Sequence, residues 1–152
     1  MSSTQMRVKR SILVEAPPAV AFRVFTEGVG GWWPAKTHSV GEELVEEVVL
    51  EPRVGGRFFE RHADGAEHEW GRVTEFEPPR RFACSWYASR GPETAQLLEV
   101  TFEPEDGATR VTVEQTGWET LGDRAEEVRG RYDSQGGWDL VLGRYAQAAR
   151  EA

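Results

Sequence analysis

The stretch that decides the fold is Tyr132–Ala149, YDSQGGWDLVLGRYAQAA, close to the end of the chain. Trp138, Val141, Leu142, Tyr145, Ala148 and Ala149 recur at the three-four spacing of one helix face, while Asp139, Arg144, Gln147 and Arg150 fall on the other side. The spacing predicts a helix over Asp133–Ala149, with Asp133 or Ser134 as its cap and Gly136-Gly137 weakening the first turn, so that the firm part begins nearer Trp138. Such a helix is about 25 Å long at ~1.5 Å per residue, and an eight-residue strand is about 27 Å, so one helix can lie along a whole sheet. Nearly everything upstream reads as sheet. The expected arrangement is a sheet curved around this helix, with any space between them as the working part.

Working outward, Met6–Glu15 alternates, with Val8, Arg10, Ile12 and Val14 on one face, and is read as a strand ended by Ala16-Pro17-Pro18. Ala19–Thr26 is a short helix with Val20, Val24 and Phe25 inward, opened by Pro18 and closed by Gly28, Gly30 and Gly31. Trp32-Trp33-Pro34 follows in a glycine-rich loop. Glu43–Leu50 is the next strand. Arg57–His62 and Glu67–Phe76 form a hairpin in which Asp64-Gly65 is read as a two-residue turn. Arg81–Tyr87, Gln96–Glu103 and Ala108–Thr116 alternate as further strands, with Phe82, Cys84 and Trp86, then Leu98, Val100 and Phe102, then Val111 and Val113 on single faces, separated by turns at Gly91-Pro92 and Asp106-Gly107. Glu119–Arg131 is charged and read as a short exposed helix. Residues 1–5 are expected to be loose. Consecutive hairpins give an antiparallel sheet with helices on one side, an α+β domain spanning residues 1–152 with its core over about 6–150.

The chain has 152 residues and a formal charge of −8, with basic residues scattered and Arg80-Arg81 the longest basic run, which argues against nucleic acid and anionic membrane as partners. Cys84 is the one cysteine, so no internal disulfide forms, and the N-terminal apolar run Ile12–Val14 is too short for a signal segment. The expectation is a soluble, cytoplasmic protein.

Six tryptophans are the compositional oddity. Phe59 and Trp70 share a face in the two-residue-turn register, and Trp138 and Tyr145 look at the sheet from the helix. Such rings suit an apolar ligand with a few polar groups, though core filling is their commoner fate. Trp32 and Trp33, in a loop, are read as lining a mouth or a partner contact. In that register Arg61, His68 and Arg72 join Phe59 and Trp70, which would let His68 act as acid or base and an arginine hold an anion. It also pairs His62 with Glu67 and Arg61 with His68, so His62 and His68 point to opposite faces. With no HxxxH, HExxH or CxxC spacing, no metal and no cofactor are expected. No nucleophile–base–orienter trio is visible, and no catalytic residue is assigned.

The chain resembles the START-like (SRPBCC, Bet v 1-like) helix-grip superfamily. More narrowly, it is similar to bacterial homologues of the C-terminal domain of the heat-shock protein 90 ATPase activator. The resemblance rests on Val14-Glu15-Ala16-Pro17-Pro18 entering Val20-Ala21-Phe22, on Pro52-Arg53-Val54-Gly55-Gly56-Arg57-Phe58, on Gly71–Phe82 followed by Trp86, on Thr109–Val113 and on Gly137-Trp138. It implies a curved antiparallel sheet gripping a C-terminal helix over a cavity. Such proteins bind lipids, polyketides, hormones or other apolar molecules, and some are cyclases or hydratases. The activator's further N-terminal domain has no room here, so its co-chaperone activity is not carried over. The first expectation is non-catalytic binding of an apolar or aromatic small molecule. The second is a protein-interaction module, co-chaperone or stress-linked, acting through Trp32-Trp33. The third is a cyclase- or hydratase-type enzyme using His68. Cavity candidates are Trp32, Trp33, Phe59, Arg61, His68, Trp70, Arg72, Trp86, Trp138 and Tyr145. Monomer and homodimer both stay open.

Overall fold

The computed structural model describes residues 7–35, 37–87 and 92–152. Expectations for residues 1–6 and for the turn at Gly91 lie outside the described residues. The strands are β1 (Val8–Val14), β2 (Val45–Leu50), β3 (Arg57–His62), β4 (Glu67–Glu77), β5 (Arg81–Trp86), β6 (Gln96–Glu105) and β7 (Ala108–Thr116). The helices are α1 (Pro18–Phe25), α2 (Ala125–Tyr132) and α3 (Leu140–Glu151). All seven strands form one antiparallel sheet in the order β1-β7-β6-β5-β4-β3-β2, the helix-grip arrangement of a curled sheet around a C-terminal helix.

The alternating strands behave as one-sided sheet should. Val111 and Val113 in β7, with Leu98, Val100 and Phe102 in β6, are buried, whereas Thr112 and Glu114 are only half-buried. Register shifts interrupt the pairing of β2 with β3, β3 with β4 and β4 with β5. Each bulge adds bend and twist to this half of the sheet.

The β3–β4 turn differs from its expected form. The His62 amide donates to the Ala66 carbonyl and the Gly65 amide to the His62 carbonyl, enclosing the three residues Ala63-Asp64-Gly65. Gly65 sits at φ +91°, a left-handed conformation that glycine adopts at little cost. One extra loop residue moves the register by one: Arg61 pairs with Glu67, Glu60 with His68 and Phe59 with Glu69. Phe58, Glu60 and His62 therefore face inward, and Phe59 faces outward under Arg57, whose guanidinium lies 4.0 Å from the ring centre. His62 and His68 stack at 4.9 Å on one side of the sheet, which corrects the expectation of opposite faces.

The closing helix is also shorter at its start than its apolar stripe suggests. α2 ends at Tyr132, and a wide turn over Gln135–Asp139 precedes α3. Gly137 leaves helical geometry with ψ −120°, and a Cβ there would lie 2.4 Å from the carbonyl oxygens of Arg131 and Tyr132. The glycine packs against the end of α2 and cannot continue a helix from Asp133. Arg10 of β1 ties both sides of this break, to Asp133 at 2.5 Å and to Asp139 at 3.0 Å. In α1 the buried residues are Ala21, Phe22 and Phe25, while Val20 and Val24 are only partly covered. The charged segment Glu119–Arg131 is not simply a solvated face, since Ala125 and Val128 of α2 are buried, as is Trp118 just before the segment.

Candidate functional site: a tryptophan-walled cavity

Trp33 from the loop after α1, Trp70 from β4, Trp86 from β5 and Trp138 from the turn before α3 converge between sheet and helices. Trp33 is the hub, with ring centres 5.2 Å from Trp70, 6.1 Å from Trp86 and 6.3 Å from Trp138. With Val128 and Val141 these rings form the floor of a cavity of about 370 Å³, and Thr37, His38, Ser39, Val40, Arg131, Tyr132, Gly136 and Gly137 form its sides and mouth. The size lies at the small end of ordinary ligand pockets.

A buried indole N–H without a partner costs stability, and here each is answered by protein. Trp33 donates to the His38 carbonyl, Trp70 to Glu60, Trp86 to the Tyr132 hydroxyl and Trp138 to the Gln115 side-chain oxygen. Trp32 donates to the Val24 carbonyl and Trp118 to the Gln115 carbonyl. The cavity therefore meets aromatic faces and edges, with its polar groups at the rim.

Two polar arrangements hold the wall. Glu60 is fully buried, and its carboxylate accepts from Trp70 Nε1, His62 Nε2, and the Val40 and Gly41 amides, each at 2.7 Å. Four donors fill its four lone-pair positions. Burial opposes ionisation of Glu60, but bonds from His62, the Val40 amide, Trp70 and the Gly41 amide outweigh it and hold its pKa below the ordinary value. At the mouth, His38 Nε2 lies 2.6 Å from the Gly136 carbonyl, so that nitrogen carries the proton, and Nδ1 lies 2.7 Å from the Thr37 hydroxyl. Arg131 lies at the rim in an exposed pair with Glu127 at 3.0 Å.

Of the expected residues, Trp33, Trp70, Trp86 and Trp138 stand on the cavity wall. Trp32 and Tyr145 belong to the core instead: their rings meet at 5.2 Å, and the Tyr145 hydroxyl donates to the Ala21 carbonyl at 2.8 Å. Trp32 and Trp33 are 3% and 8% exposed, so the exposed pair expected for a partner contact does not form. Phe59 and Arg61 lie on the outer face because of the one-residue register change, and Arg72 joins them because the bulge between Phe58 and Phe59 sets it opposite Arg57. There Arg61 pairs with Glu67 and Glu47, and Arg72 with Glu69. His68 is exposed and stacks on His62 away from the cavity wall. Cys84 is buried and its thiol is pushed up to about 12 by desolvation. Among the described residues no group of three or more His, Cys, Asp and Glu is placed to hold a metal ion, and no helix is long and apolar enough to cross a membrane.

Sequence reasoning missed Glu60, His38 and Tyr132. A three-residue reading of Ala63-Asp64-Gly65 would have turned Glu60 inward beside Phe58. His38 lies in an irregular loop, where no periodicity announces which side chains fold back.

Three solved structures illustrate the likeness. An anthrahydroquino-γ-pyrone synthase, Txn09, is 33% identical, with 93% of this chain and 95% of that one covered and a TM-score of 0.63. The self-sacrificing resistance protein CalC from Micromonospora echinospora is 26% identical over 95% and 94% of the two chains, with a TM-score of 0.71. The Aha1 dimer from Colwellia psychrerythraea, at 14% identity, 95% and 96% coverage and a TM-score of 0.66, shares the fold. No curated protein sequence matches the chain. The model of the family described as activator of Hsp90 ATPase homolog 1-like protein matches residues 15–149, and the chain belongs to that family, among the START/Bet v 1-like proteins.

Proposed function

We propose that the protein binds a flat aromatic small molecule in the tryptophan-walled cavity. The observation that carries this reading is the wall itself: four indoles from four parts of the chain surround about 370 Å³ of space, each with its N–H already bonded to protein. Rings fixed in this way keep a gap between them and offer stacking surface to a guest. The synthase neighbour, named for an anthrahydroquino-γ-pyrone, agrees in kind. A catalytic reading draws on the synthase alone. On this chain the Glu60 carboxylate has its lone pairs filled, and both ring nitrogens of His38 are engaged. Binding is therefore the reading the site supports best.

Titration with anthracene-2-sulfonate, followed by tryptophan fluorescence, tests it. Saturable quenching is expected, together with extra mass in native mass spectrometry of protein taken from cells. Quenching that stays linear to millimolar probe, with no extra mass, would overturn the reading.

A further inference from the structure

Tyr132 lines the cavity and uses its hydrogen bonds differently from the indoles and His38 there. Its oxygen accepts the Trp86 indole N–H at 2.9 Å, and among the described residues nothing accepts its own O–H. The accepted bond fixes one side of the hydroxyl and leaves its proton to a partner on another side. The ring is half-buried and lies tilted against Trp118 at 5.4 Å and Trp138 at 6.5 Å, so packing restrains the hydroxyl's position. The neighbouring Arg131 brings a cation to the same rim. Trp33, Trp70 and Trp138 have spent their N–H groups, and His38 has spent its Nε2–H on Gly136.

We propose that Tyr132 is the residue that selects the ligand: its hydroxyl donates to a carbonyl or phenolate oxygen carried on the edge of a flat aromatic guest. The inference rests on the binding reading above and narrows the ligand from any aromatic to an oxygenated one, such as a quinone. A guest with an acceptor there gains a hydrogen bond that a guest without one does not make.

Anthraquinone-2-sulfonate and anthracene-2-sulfonate share ring outline and anionic group and differ in the carbonyls. The wild-type protein is expected to bind the quinone about fivefold more tightly, the scale of one neutral hydrogen bond. Tyr132→Phe is expected to remove that preference; because it also takes away the acceptor of the Trp86 N–H, the ratio of the two affinities, and not either affinity alone, is the readout. The infrared C=O stretch of the bound quinone is expected to shift down in the wild type only. Equal binding of the two probes by the wild type overturns the inference but not the binding reading. So does a preference that survives in Tyr132→Phe, or an equal weakening of both probes by that variant, which would make the residue part of the cavity's shape alone. Failure of both probes to bind the wild type removes the binding reading and the inference with it.

Discussion

The interior has two aromatic ends, and they are held in different ways. At one end Phe22, Phe25, Phe82, Phe102 and Tyr145 pack directly: Phe25 meets Tyr145 at 4.8 Å and Phe102 at 5.9 Å, and Phe22 meets Phe102 at 5.0 Å. At the other end Trp33, Trp70, Trp86 and Trp138 stand around open space, each tied by its N–H. Phenylalanine has no polar handle, so only contact can fix it, and contact closes the gap. An indole can be fixed from its edge by a hydrogen bond, which leaves a face free. Phenylalanine thus dominates the part that closes and tryptophan the part that stays open, with Trp32 against Tyr145 on the closed side and Phe58 among the cavity indoles on the open one.

The largest expected effect lies at the closed end. Phe25→Ala should cost about 3–5 kcal/mol in urea unfolding, because transfer and cavity terms add where neighbours cannot collapse. Binding of anthracene-2-sulfonate to the protein that remains folded should be unchanged. A folded variant that no longer binds would show that the two ends are one unit, and the contrast would fail.

At the open end Glu60→Gln comes next. An amide nitrogen would face donors that now meet an oxygen, so stability should fall by about 2–4 kcal/mol. The loss depends on pH in a known direction. The folded-state pKa of Glu60 is held below the ordinary 4.5, so its contribution is present above that value and is lost as pH falls through the folded pKa. The stability gap between wild type and variant should therefore be full at pH 6 and shrink below about pH 4.5. Hydrogen exchange should show the Val40 and Gly41 amides losing protection in the variant while those of β6 and β7 keep it. A uniform loss along the chain would mean that Glu60 supports the whole core.

The two ends were also unequally legible in the sequence. Regular alternation exposed β6 and β7, and the three-four stripe exposed Trp138, Val141, Leu142 and Tyr145, because in each case one face is buried and the period shows it. The cavity depends on details without a period. One loop residue in Ala63-Asp64-Gly65 decides whether Phe58 or Phe59 faces inward, and Asp-Gly reads equally well as a shorter turn. Trp32 and Trp33 lie in a loop whose exposure cannot be read from its composition. The helix break rests on the packing of Gly137 against carbonyls of α2, a contact fixed only by the folded chain.

The smallest expected effect compares a tyrosine of the closed end with Tyr132. Tyr145 is fully buried, and its hydroxyl donates to the Ala21 carbonyl at 2.8 Å, joining α3 to α1. Tyr145→Phe keeps the ring and removes one neutral hydrogen bond, so it should cost about 1 kcal/mol near neutral pH. The quinone preference set by Tyr132 should stay as it is. Burial pushes the Tyr145 hydroxyl's pKa well above the ordinary 10.0. A raised folded-state pKa contributes stability that is full below the unfolded value and is lost as pH rises, since the unfolded chain ionises first. One pH unit beyond that value costs the wild type about 1.4 kcal/mol, and the phenylalanine variant has no such group to ionise. Cys84 and Tyr87, also raised, remain in both proteins and cancel in the difference. The wild type should therefore be the more stable protein at pH 7 and the variant the more stable one by about pH 11, with the curves crossing in between. Urea unfolding of both proteins from pH 7 to 11 measures this. Curves that stay parallel would mean that the hydroxyl ionises as freely in the folded protein as in the unfolded chain, and the closed end would be no drier than the open one.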